Sequence, residues 1–290
     1  EYSWRRLEDD PVFNVRNYKQ PFWDGEDLDG KTIFVYPEQG LGDTIQFVRY
    51  LPMLRQRHAR VVFDVPLPLV PLLWDFDGVD LSLKSGDVLP PFDCHIPLLE
   101  LAGLFGTTLQ TIPAGDPYLH ADPALVDNWS ERLGPKTGFR VGLVWAGNPS
   151  HLNDHNRSIA PDMIRPLVET PGVEAFSLMV GRDGEADTVF GDAIIDLAPH
   201  LDNFSETAAA ITHMDLVISV DTAVAHAAGA LGADVWTLLT FNPDWRWMLD
   251  RDDTPWYPSM RLFRQDKRND WDGVLARVAT ELAERVHNTG

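Results

Sequence analysis

A single cysteine, Cys94, stands in 290 residues, so neither an internal disulfide framework nor a thiolate-rich metal site can be built. It lies in the run Phe92-Asp93-Cys94-His95-Ile96, which reads as a buried strand thiol and not as a nucleophile. No stretch approaches the about 18 apolar residues of a membrane span, and no basic-plus-apolar leader opens the sequence. Basic residues are scarce: 24 Lys+Arg against 44 Asp+Glu give a formal net charge of −20. Phosphate backbones and anionic lipid surfaces need a basic field, which excludes nucleic acid and membranes as main partners. What remains is an acidic surface that keeps a cytoplasmic protein soluble or selects a partner.

Hydrophobic residues at 44% and charged residues at 23% are ordinary globular usage, and the length reads as two domains at roughly 100–200 residues each. Short strand-like runs alternate with helical patterns, the signature of α/β folds with parallel sheets. In the first half, strands are expected at Thr32–Tyr36, Arg60–Val65 and 93–96. An amphipathic helix is expected over 43–57, where Ile45, Phe47, Val48, Leu51 and Leu54 recur at helical spacing and Pro52 would tighten or kink it. A turn-rich stretch at 111–117 leads to a polar helix at 124–133, and Gly134-Pro135-Lys136-Thr137-Gly138 reads as the interdomain hinge. The expected domains are therefore 1–135 and 136–290. The second half continues with strands at 139–146, 175–180, 193–197, Leu216–Val220 and Val235–Leu239, and helices at 161–169, 205–213 and 222–231. Trp271, Val274, Leu275, Val278 and Leu282 give a closing amphipathic helix over 271–286. There is no repeat of fixed period and no low-complexity block. Two α/β halves joined by a hinge place a ligand cleft at the carboxyl ends of the strands.

Three strand-to-helix loops carry the candidate chemistry. In Glu38-Gln39-Gly40-Leu41-Gly42-Asp43, the glycines let backbone approach a ligand at a helix N-terminus. The pattern is like a dinucleotide fingerprint, with Asp64 about 20 residues on, but Ile45 stands where the third glycine belongs. A carboxylate at Asp43 would repel a pyrophosphate and suits taking a proton from a hydroxyl. It equally suits capping the helix, and the two roles are compatible. In Ser219-Val220-Asp221-Thr222-Ala223-Val224-Ala225-His226, Asp221 or Thr222 can cap, and the following N–H groups can hold a nucleotide phosphate. The alanine- and glycine-rich helix that follows allows close packing or close approach of a ligand. His226, one turn after Thr222, is either a ligand contact or a satisfied structural group.

The third loop, 147–158, is long and polar and contains Asn148, Arg157 and Ser158, with Arg157 a natural phosphate ligand. His151 and His155 hint at metal, but no further ligands support them, so no metal site is expected. Aromatics in Asn242-Pro243-Asp244-Trp245-Arg246-Trp247 and Trp256-Tyr257-Pro258 either stack on a base or sugar or fill cores. Asp75-Phe76-Asp77 and Asp250-Arg251-Asp252 have the form that holds a divalent cation on a diphosphate, a form common by chance in so acidic a sequence.

Taken in order, residues 38–50 (EQGLGDTIQFVRY), 141–148 (VGLVWAGN), Asn156-Arg157-Ser158, 220–226 (VDTAVAH) and Asp244-Trp245-Arg246-Trp247 resemble the glycosyltransferase domain found behind tetratricopeptide repeats in bacterial proteins. That domain is similar to the heptosyltransferases and, more distantly, to protein O-GlcNAc transferases. The resemblance covers nearly the whole sequence and implies a GT-B architecture of two Rossmann-like domains. The acceptor side comes first and the nucleotide-sugar side second, with the last helix crossing back. It implies that Glu1-Tyr2-Ser3-Trp4-Arg5-Arg6, opening without Met, is the tail of a helical repeat whose missing remainder recruits a protein acceptor. Transferases that decorate flagellin with sialic-acid-like sugars share this layout.

Carried over by position, Asp43 matches the catalytic base. Gln39, Gly40, Gly42 and Gln46 fall in the acceptor-side loop. Asp221, Thr222, Ala223 and His226 match the donor-holding motif, and Asn148, Arg157 and Ser158 face the donor. Met179 and Val180 depart from the Gln and Lys common in relatives, which removes a polar donor contact. The implied reaction is metal-independent transfer needing no cofactor, since the nucleotide sugar is a substrate. The alternatives are a noncatalytic sugar-nucleotide or glycan-binding module and, behind it, a dinucleotide-dependent oxidoreductase.

Overall fold

The structure is a computed structural model that describes residue 16, residues 18–115 and residues 117–289. Glu1-Tyr2-Ser3-Trp4-Arg5-Arg6 lies outside the described residues. The chain divides between Pro113 and Ala114 into two compact units.

In the first unit, β1 (Thr32–Tyr36), β2 (Arg60–Val65), β3 (Leu81–Lys84) and β4 (Cys94–Pro97) form one parallel sheet in the order β3-β2-β1-β4. Phe22 bridges to His95 at the β4 edge. One face carries Phe34, Tyr36, Val62 and Leu83, packed against Tyr18, Leu81, Leu89 and Phe92. The expected helix over 43–57 is broken: α1 (Leu41–Phe47) passes through a 3₁₀ turn at Val48–Tyr50 into α2 (Leu51–Arg55), with Pro52 in the first turn of α2. Proline has no N–H to donate four residues back, so the helix restarts around it. Two short helices, α3 (Val70–Leu73) and α4 (Glu100–Leu104), complete the unit.

The second unit begins before the expected hinge. Tyr118 N and Leu119 N donate to Ala230 O, at the end of a later helix. Next, α5 (Pro123–Leu133) packs on α9 (Phe204–Ile211), where the Trp129 indole donates to Glu206 Oε2 at 2.8 Å. The boundary expected at 135/136 is thus corrected to 113/114. Gly134, with φ of 65°, ends α5 in a turn within the unit, its carbonyl bonded by Arg140 at 2.8 Å.

Six parallel strands follow: β5 (Phe139–Val144), β6 (Val173–Ser177), β7 (Ile195–Asp196), β8 (Leu216–Val220), β9 (Val235–Leu239) and β10 (Met260–Arg264). Their order, β10-β9-β8-β5-β6-β7, is the doubly wound dinucleotide-fold order 3-2-1-4-5-6 read from the other edge. Helices α6 (Asp154–Arg157), α7 (Arg165–Val168), α8 (Glu185–Phe190) and α10 (Ala223–Ala230) connect them with α9. The closing α11 (Trp271–Thr289) buries Trp271, Val274, Leu275, Val278 and Leu282 and packs on α7 and β10 within this unit. Among the described residues, no helix is long and apolar enough to cross a membrane.

Candidate functional site

In the second unit, strand order reverses between β5 and β8, and the loops leaving these two strands meet there. That is where open α/β sheets bind ligands. The turn after β8 puts Thr222 at the cap of α10, but no side chain caps the helix. Thr222 Oγ1 instead lies 3.0 Å from Ser219 Oγ. The first amides of an eight-residue helix are thus left to other partners.

Arg157 spans the two loops. Its NH1 donates to Asp221 O at 2.9 Å and its Nε to Asp154 Oδ1 at 3.0 Å. Asp154 Oδ2 accepts from Ser158 Oγ at 3.0 Å, and Ser158 Oγ accepts from Gly147 N at 3.0 Å. A Cβ on Gly147 would stand 2.5 Å from both Arg157 NH2 and Asp154 Oδ1, so a side chain there would displace the Arg157–Asp154 pair. Arg157, read from sequence as a direct phosphate ligand, therefore also serves as the tie between the loops. Asn148 is exposed and its Oδ1 accepts from Ser150 N and Oγ at 2.9 and 2.8 Å, which shapes the turn. Short helix α6, which contains His155, replaces part of the expected loop.

Burial raises the Asp221 carboxyl above the usual carboxylate range, with Arg246, the Trp247 indole and Arg157 drawing it back down and Asp244 adding to the rise. Arg246 is buried and held by Asp244 Oδ1 at 2.8 Å. His226, 3% exposed, places Nε2 at 3.9 Å from Asp221 Oδ1 and Nδ1 at 2.8 Å from the Tyr257 hydroxyl. Its ring stacks on Trp247 with centroids 5.3 Å apart. Asp221, Thr222, Ala223, His226, Arg157 and Ser158 are thus gathered at one switch point. Sequence reading missed Asp154 and the role of Arg246, although the acidic residue three before Arg157 was a visible helical-pair signal. Met179 is buried and Val180 is exposed beyond the end of β6.

The first unit carries the other loop. Asp43 sits at the third position of α1, and its Oδ2 accepts from Gly40 N at 3.0 Å. The capping role allowed from sequence is realised, and the part-exposed carboxylate stays at the helix mouth. Gln39 and Gly42 are part-exposed and Gly40 is exposed, whereas Gln46 is fully buried and belongs to the packing beneath the loop. Asp64, where a dinucleotide fold holds a ribose, is 2% exposed, ion-paired to Arg16 and bonded by Ser85 Oγ at 2.8 Å. That carboxylate is already satisfied by protein, which weighs against the oxidoreductase alternative.

Both sheets have the parallel Rossmann pattern in order along one chain. The fold is that of the GT-B glycosyltransferases. A glycosyltransferase family 9 structure from Veillonella parvula is similar with a TM-score of 0.65 at 13% identity, covering 92% of this chain and 100% of that one. The ADP-heptose lipopolysaccharide heptosyltransferase II of E. coli is similar with a TM-score of 0.59 at 13% identity, covering 89% and 99%. Residues 184–270, which contain the β8–α10 turn and the Asp244–Trp247 segment, match the model "Glycosyltransferase family 9 (heptosyltransferase)". Protein FlbA of Caulobacter vibrioides is 29% identical over 96% of this chain, and the chain spans about half the length of that protein, 50%.

Proposed function

We propose that the chain transfers a sugar from a nucleotide-sugar donor to a hydroxyl of a protein acceptor, as in flagellin-type O-glycosylation, in the cytoplasm. The observation that carries this reading is the uncapped N-terminus of α10, flanked by Asp221, Arg157 and His226, within the segment that matches a glycosyltransferase family model. In this reading the second unit holds the donor: α10 amides take the diphosphate and Asp221 accepts from sugar hydroxyls. In the first unit, Asp43 takes the proton of the acceptor hydroxyl as it attacks the anomeric carbon, and the nucleotide leaves with its phosphate stabilised by helix amides.

The proposal routes no step through a metal ion. The protein acceptor rests on the resemblance to repeat-linked transferases, in which a preceding helical domain recruits the acceptor.

A thermal-shift panel of ADP, UDP, GDP and CMP with their sugar conjugates tests the donor reading, since a ligand that binds only the folded state raises the melting temperature. One nucleotide family should stand out; no shift by any of them would overturn the reading. The tie between Asp43 and Gly40 N favours one second reading, a noncatalytic binding module in which Asp43 only caps α1. Donor turnover excludes it.

A further inference from the structure

We infer that Tyr257 is a positioning residue for the α10 site, an inference that rests on the glycosyl-transfer reading. Read from sequence as a possible stacking platform, Tyr257 is 1% exposed and has no face to offer a ligand. Its hydroxyl lies 2.8 Å from Nδ1 of His226, whose Nε2 points at Asp221 Oδ1 from 3.9 Å. In a neutral imidazole one nitrogen donates and the other accepts. Wherever Asp221 is ionised, a proton on Nδ1 would turn the Nε2 lone pair toward a carboxylate oxygen, two acceptors face to face. The hydroxyl of Tyr257 donating to Nδ1 places the proton on Nε2, where it faces Asp221.

Gly229 sets the position of the phenol ring. It lies one turn after His226 on α10, and a Cβ there would stand 2.6 Å from Tyr257 Cγ. The glycine in this alanine-rich helix thus serves the close packing of Tyr257. With Trp247 stacked on its face, His226 is fixed in plane and tautomer. Its N–H adds to the positive field that Arg246 and Arg157 place around the Asp221 carboxyl, which faces donor hydroxyls as an acceptor.

The full chain labelled with ¹⁵N-histidine reports the tautomer by multiple-bond NMR, with His226 assigned from its loss in His226→Gln. The wild type should carry the proton on Nε2 alone. Tyr257→Phe keeps the ring on Gly229 but removes the hydroxyl. It should give a mixed tautomer and about 3–10-fold weaker binding of whichever of ADP, GDP, UDP and CDP the wild type binds best. A proton on Nδ1 in the wild type overturns the inference. So does a folded Tyr257→Phe with unchanged tautomer or unchanged affinity while the wild type binds nucleotide, and in that case the glycosyl-transfer reading stands. A wild type that binds none of the four removes that reading and the inference with it.

Discussion

Arg157 NH1 donates a 2.9 Å hydrogen bond to the main-chain carbonyl of Asp221, 64 residues further along the chain. The guanidinium leaves the loop after β5 and closes on the loop after β8, the two strands at which the sheet order reverses. Its Nε is meanwhile fixed by Asp154, so the fork geometry of arginine is used in two directions. One side chain thereby ties the residue that precedes the Thr222 cap of α10 to Asp154.

Arg157→Ala should lower stability by about 1–3 kcal/mol, because Asp154 is 7% exposed and loses its cation. Arg157→Lys should recover little of this, since an ammonium cannot make both bonds in the required plane. Urea unfolding curves measure the first effect and nucleotide titration of both variants the second. A lysine variant with wild-type stability and affinity would show that only the charge matters.

Asp43→Asn keeps an oxygen that can accept from Gly40 N, so the start of α1 should survive. Loss of the base should slow transfer about 10²–10⁴-fold with donor affinity unchanged. Single-turnover rates beside donor titration separate these, and full-rate transfer by the folded variant would assign Asp43 to capping alone.

Burial raises the folded-state pKa of Asp221, so the folded protein holds that proton more tightly than the unfolded chain does. Stability associated with this group is therefore lost as pH rises from the ordinary carboxylate value through the raised one, so the cost of burying Asp221 grows with pH. Asp221→Asn should raise the melting temperature by about 2–4 °C at pH 7, with the gain shrinking toward pH 4, while nucleotide binding falls. Calorimetry from pH 4 to 8 checks this; a gain that grows at low pH would contradict it.

The Cys94 thiol is pushed up to about 11 by burial, with Asp93 and Glu26 adding to the rise and Lys31 opposing it. At pH 8 roughly one thiol in a thousand is then ionised. A disulfide reagent should modify folded protein at least about 100-fold more slowly than protein in urea. Equal rates would place Cys94 outside the buried strand.

The strands that pass through the middle of each sheet were legible because they are apolar on both faces. Residues Thr32–Tyr36, Arg60–Val65, Leu216–Val220 and Val235–Leu239 form strands over the ranges expected. The edge strands Leu81–Lys84 and Met260–Arg264 were missed, since charged residues such as Lys84 and Arg261 break the apolar run where an edge meets water. The turns holding Asp43 and Asp221 could be located for the same local reason: glycine or a capping residue stands between a strand pattern and a helix pattern.

Local pattern thus determined the α/β class, most inner strands and the loops that carry the candidate chemistry. The tertiary structure alone decided that α5 belongs to the second unit, through Trp129 and Glu206, 77 residues apart. It alone paired His226 with Tyr257, 31 residues away, and closed Arg157 on Asp221. Hydrophobic period and turn chemistry act between residues a few positions apart, whereas partners across a switch point are chosen by strand order, which no local window contains.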